Sequence, residues 1–152
     1  MAKMGLSVRD DPPKVVDLTV RVWGPEQAGL VVSVADIPRE DPDSLPRISV
    51  LIRNVGQERK RFEVPGWQFF YDVDVRLPDG SRMGLSPFGR EMLKPERRVE
   101  SIAADLGPGE FVETEIPIGS FFNLRARGRY VVSASCEPMP GVTLQSNEIS
   151  IA

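Results

Sequence analysis

A chain of 152 residues, 41% hydrophobic and 27% charged, suits one globular domain with a core of its own. Nineteen basic residues against 22 acidic ones leave a net charge of −3, which excludes the broad basic surface of a typical nucleic-acid binder. With no histidine and one cysteine, Cys136, the chain lacks the parts for Ser-His-Asp or Cys-His catalysis, imidazole-based zinc sites, a CxxC redox pair or an intrachain disulfide.

Residues 1–13 are polar and end in Asp-Asp-Pro-Pro, the composition of a disordered tail, so the domain is expected over residues 14–152. The tail has no apolar h-region, so no signal peptide is expected in this chain. No apolar run reaches the roughly 18 residues of a bilayer span, so no membrane insertion is expected. The compartment stays open, with a secreted or periplasmic location among the alternatives.

Residues 15–23 alternate, with Val16, Leu18, Val20 and Val22 on one face, which predicts a first strand. A turn at residues 24–27 leads to a second run with Leu30, Val32 and Val34 on its inner face. The loop 36–46 carries the carboxylates of Asp36, Glu40, Asp41 and Asp43. These are the oxygen ligands Ca²⁺ takes, but the spaced Asp/Asn-Gly loop pattern is missing and Pro38 and Pro42 interrupt the cluster. An ordinary acidic loop is the preferred reading; no metal and no cofactor are expected.

The chain is organised around residues 48–80. Ile48, Val50 and Ile52 alternate with Ser49, Leu51 and Arg53; Phe69, Tyr71, Val73, Val75 and Leu77 alternate with Phe70, Asp72, Asp74 and Arg76. A period of two places each apolar set on one face of a strand. Asn54 and Gly56 read as residues that tolerate positive φ at a strand end, and Asp79-Gly80 reads as a type I′ hairpin turn. Residues 57–68 read as a polar connection that holds the basic run Arg59-Lys60-Arg61 and Trp67. That run, and Arg125/Arg127/Arg129, read as solvated edges rather than phosphate sites.

Residues 81–85 read as a return strand, and 86–95 as irregular or at most one helical turn. Ile102, Ala104 and Leu106 share one face of a further strand, with Val99 out of phase. After the Gly107-Pro108-Gly109 turn, Val112, Thr114 and Ile116 are expected inward, and Glu113 and Glu115 outward. Phe121 and Phe122 are expected to plug the core. Tyr130, Val132, Ala134 and Cys136 form the inner set of the next strand, 137–141 a loop, and 146–151 the last strand. About eight or nine short strands, with no substantial helix, predict an all-β fold: a two-sheet antiparallel sandwich.

Several segments also match a known layout. The run RNVG (53–56), a following Phe, YDVDVRLPDG (71–80), LGPGE (106–110), RGRYVVSAS (127–135) and SNEISI (146–151) resembles bacterial immunoglobulin-like sandwiches. In that order it is similar to the BsuPI family, known as intracellular proteinase inhibitors. The resemblance implies an immunoglobulin-like sandwich. It also implies proteinase inhibition, for which a rigid loop is needed; residues 36–46 and 86–95 are the candidates.

With no catalytic set in view, the leading expectation is a non-catalytic interaction module whose partner is another protein, bound through an edge strand or end loop. An edge-to-edge dimer is open as an oligomeric state. The binding candidates are Trp67 and Phe70, which would form an interaction patch or a sugar-stacking platform if they were exposed together. Trp23 and Phe88 are weaker candidates of the same kind.

Overall fold

The computed structural model describes residues 18–39, 41, 43–124 and 128–152. The expected tail, the start of the expected first strand, Glu40, Arg125 and Arg127 lie outside them.

The fold is all-β. Among the described residues nine strands form three antiparallel sheets. Strands β1 (Leu30–Asp36), β2 (Ile48–Asn54) and β6 (Phe111–Ile116) make one sheet in the order β1-β2-β6. Strands β4 (Tyr71–Arg76), β7 (Tyr130–Met139) and β8 (Val142–Gln145) make another, and β9 (Ile149–Ile151) pairs with β7 beside β8. The third sheet pairs β3 (Lys60–Val64) with β5 (Ile102–Leu106). Three short helices, α1 (Trp67–Phe70), α2 (Pro87–Met92) and α3 (Ile118–Phe121), gather near the start of β4.

Period-two patterning builds the core as expected. Leu30, Val32 and Val34, Val50 and Ile52, Val73 and Val75, and the set Tyr130, Val132, Ala134 and Cys136 are all buried in one cluster. Removing this apolar area from water at roughly 25 cal/mol per Å² drives the sheets together.

The corner where β2 gives way to β3 is built on Asn54. Its amide donates to the carbonyls of Glu58 (2.7 Å) and Leu106 (2.9 Å), and its Oδ1 accepts from Gly56 N–H (2.9 Å). Neither Asn54 nor Gly56 has positive φ, so their place at the strand end comes from hydrogen bonding rather than left-handed backbone.

Several elements differ from expectation. Residues 57–68 contain β3: Phe62 and Val64 face inward while Arg61 and Glu63 face water, a short alternation hidden by flanking charge. Before β4 the chain makes the helical turn α1, so the strand begins at Tyr71 rather than Phe69. Residues 18–23 form no strand. Leu18–Val20 is a 3-10 turn, and Val20 and Val22 are 75% and 63% exposed. The inward residue there is Arg21, whose guanidinium bonds Ser49 Oγ at 2.7 Å and lies 4.0 Å from Glu113. Glu113, expected outward, is correspondingly buried and accepts from Ser49 Oγ at 2.6 Å.

At residues 78–80 only Gly80 has positive φ, and its N–H bonds the Leu77 carbonyl at 2.9 Å. This is a three-residue loop ending in a left-handed glycine rather than a two-residue type I′ turn. Strand β7 runs through residues expected as a loop, to Met139, and turns tightly at Gly141 into β8.

Candidate functional site

A groove of about 400 Å³ opens where β4 meets the helices. Its apolar lining includes Trp67, Val73, Met83, Leu85, Leu93 and Phe121. Three local features shape it.

First, the segment after the hairpin pairs with β4 only briefly. Leu77 N–H donates to the Ser81 carbonyl (2.9 Å) and Met83 N–H to the Val75 carbonyl (2.8 Å). The chain then swings away to a different partner: Asn123 N–H donates to the Gly84 carbonyl (2.9 Å), and Ser86 N–H to the Phe121 carbonyl (2.8 Å). The expected return strand over 81–85 is thus split between two neighbours, and the groove is the wedge between them.

Second, α2 packs directly on α3. Ser86 caps α2 by accepting from Gly89 N–H at 3.0 Å, and Pro87 starts the helix, a favourable first position. A Cβ at Gly89 would lie 2.2 Å from the Phe121 carbonyl oxygen, so this contact needs glycine. Residues 86–95 are therefore more helical than expected, with Pro95–Arg97 adding a 3-10 turn.

Third, aromatic rings fix the wall. Trp67 packs on Phe121 with centroids 4.4 Å apart, and Phe88 meets Phe121 edge-on at 5.3 Å. Phe121 is buried, as expected for a core plug; Phe122 is half-buried and lines the groove.

The two candidates from the sequence are not brought together. Trp67 is half-buried and lines the groove. Phe70 turns to the other side of α1, stacked on Phe62 at 6.2 Å and edge-on to Tyr71 at 4.9 Å. Phe88 is 50% exposed and Trp23 half-buried. Met83 and Leu85, which help complete the lining, read only as part of a return strand, and Leu93 as part of an irregular segment, because the groove arises from where the segment 81–85 goes rather than from its composition.

The groove's charged rim groups have ion-pair partners within the fold. Arg82 lies 3.6 Å from Asp72 and 3.1 Å from Asp74 at the rim, and Arg76 holds the other oxygen of Asp74 at 2.8 Å. Tyr71 bonds Thr114, and burial pushes its phenol well above the ordinary range. Nearby in the same core, burial pushes the Cys136 thiol up to about 12.

Elsewhere several charges pair off. Arg59 and Arg61 both reach Asp105 across β3 and β5, at 2.9 and 3.2 Å, so this part of the basic run is a cross-strand ion cluster. In the acidic loop Asp41 accepts the Asp43 amide at 2.9 Å. Among the described residues no group of three or more acidic or cysteine side chains is placed to hold a metal ion. No described helix is long and apolar enough to cross a membrane.

Compared with known proteins, the chain matches no family model and no curated protein. The fold defines it as an all-β, sandwich-like domain.

Proposed function

We propose that this protein is a non-catalytic interaction module of immunoglobulin-like type, and that its partner is another protein, received in the groove beside β4. The immunoglobulin-like assignment is supported by the grouping of strands: β1, β2 and β6 in one sheet and β4, β7 and β8/β9 in another, with β3 and β5 paired as a small third sheet. The observation that carries the functional reading is the groove itself. It is an open cleft of mixed polar and apolar lining, walled by Trp67, Leu93 and Phe121, on a fold whose core is already closed, and its charged rim groups neutralise one another.

Proteinase inhibition rests on the order of motifs alone. Of its two candidate segments, 86–95 is mostly helix, whereas a loop offered to a protease cleft is extended. A sugar-stacking platform gains nothing from rings that pack on separate partners.

The test is a photo-crosslinking amino acid placed at Leu93, in the groove wall, and at exposed Glu58 as a control, in the cell that makes the protein. Protein adducts specific to position 93 support the module reading. Adducts equal at both positions, or none at either, overturn it.

A further inference from the structure

We infer that the occupant of this groove is an extended peptide segment that adds a strand to the outer edge of β4, pairing through Val73. The inference rests on the interaction-module reading and names how, and with what, the groove binds.

The direction of the Val73 backbone follows from β7. Val73 lies opposite Ala134. The Ala134 carbonyl accepts from Ser146 N–H (2.9 Å), and its N–H donates to Ser146 Oγ (2.9 Å). Both groups of Ala134 thus point away from β4. An antiparallel pair that does not exchange hydrogen bonds turns its N–H and C=O outward on both strands. The same parity holds further along the edge, where Val75 accepts from Met83 and Leu77 donates to Ser81. The outward groups of Val73 come next in line, at the point where Gly84 has already left for Asn123. Among the described residues no hydrogen bond reaches them.

The outer edge of β1 shows what the fold does when it closes such a site. On β1, Val34 N–H donates to Asn147 Oδ1 (2.8 Å), and Asn147 Nδ2 donates to the Val34 carbonyl (3.1 Å). One side-chain amide there stands in for a strand. Among the described residues nothing equivalent sits at Val73.

What fits is set by complementary charge at the scale of peptide dipoles. At Val73 the edge offers one donor and one acceptor in strand geometry, which another backbone satisfies. The rim cation Arg82 is already matched by Asp72 and Asp74, so no net charge is left for an ionic ligand. The lining takes an apolar side chain against Trp67, Leu93 and Phe121. The open edge is short. Tyr71 N–H is held by the Trp67 carbonyl and the Val75 carbonyl by Met83. A ligand therefore pairs over about three residues, roughly 10 Å of strand.

The experiment selects short random peptides on the purified full chain, then measures affinity for synthetic versions N-methylated at one amide at a time. Selected peptides are expected to share a bulky apolar residue among uncharged neighbours. One methylation is expected to weaken binding roughly three- to tenfold, and those at adjacent amides far less, since neighbouring N–H groups face opposite edges. The blocking variant is Gly84→Phe: Gly84 has open space at its Cβ, so the fold tolerates the ring, which then fills the groove. It is expected to abolish binding.

If Gly84→Phe abolishes binding but no methylation matters, the groove binds side chains only: strand addition fails while the module reading stands. If peptides bind Gly84→Phe as well as the parent, or none is retained, both fail. If the parent is a dimer that Gly84→Phe converts to monomer, the occupant is a second copy, and the inference is overturned.

Discussion

Val73 and Ala134 face each other across β4 and β7 without exchanging hydrogen bonds, because Ser146 takes both backbone groups of Ala134 on the far side. That parity, set three strands into the sheet, aims the Val73 amide and carbonyl at the groove. The edge is free because residues 84–86 pair with 121–123 instead of continuing along β4.

Gly89→Ala tests how the groove wall is held. The added Cβ would meet the Phe121 carbonyl oxygen at 2.2 Å, so α2 must move off α3. Overpacking of this kind costs about 2 kcal/mol. For a domain of this size that lowers the Tm by roughly 4–8 °C, read by scanning calorimetry. An unchanged Tm would mean that the two helices are not in backbone contact.

Asn54→Ala tests the corner. The variant leaves the carbonyls of Glu58 and Leu106 and the Gly56 amide without their buried partner. The expected loss is about 3 kcal/mol, seen as a lower urea midpoint at unchanged slope. A loss below about 1 kcal/mol would show that these bonds do not hold β2 to β5.

Alkaline pH tests the core around Tyr71 and Cys136. Burial raises both groups, the thiol to about 12, so folding favours the neutral forms. The unfolded thiol titrates near ~8.5, so this contribution is complete below that pH and is lost as pH rises towards the folded value. Stability is expected to fall from about pH 8.5 upward, and Cys136→Ala to flatten the first part of the fall, below the phenol's own range near ~10. An identical pH profile for variant and parent would contradict the burial of the thiol.

Much of this fold was legible because period-two patterning is direct. Tyr130, Val132, Ala134 and Cys136 read correctly as one inner face, as did Leu30, Val32 and Val34. The misreadings have local causes. At 18–23 the alternation is real but inverted, because a buried carboxylate, Glu113, draws Arg21 inward and leaves Val20 and Val22 in water. Strand β3 was hidden because only Phe62 and Val64 mark it between charged residues. Phe69 and Phe70 extend the alternation of β4 on paper, yet the chain coils there into α1 and sends Trp67 and Phe70 to different neighbours. Apart from Trp67, the groove was not legible. It depends on a contact between residues 84–86 and 121–123, far apart in the chain, which no local pattern announces.

The most direct test of the central claim needs no ligand. Amide hydrogen exchange on the free protein, resolved residue by residue, compares Val73 with Asp72 and Asp74, whose amides face β7. The free edge predicts that Val73 exchanges much faster than both neighbours, although the residue as a whole is only 6% exposed. Protection of Val73 equal to that of Asp72 and Asp74 would contradict it.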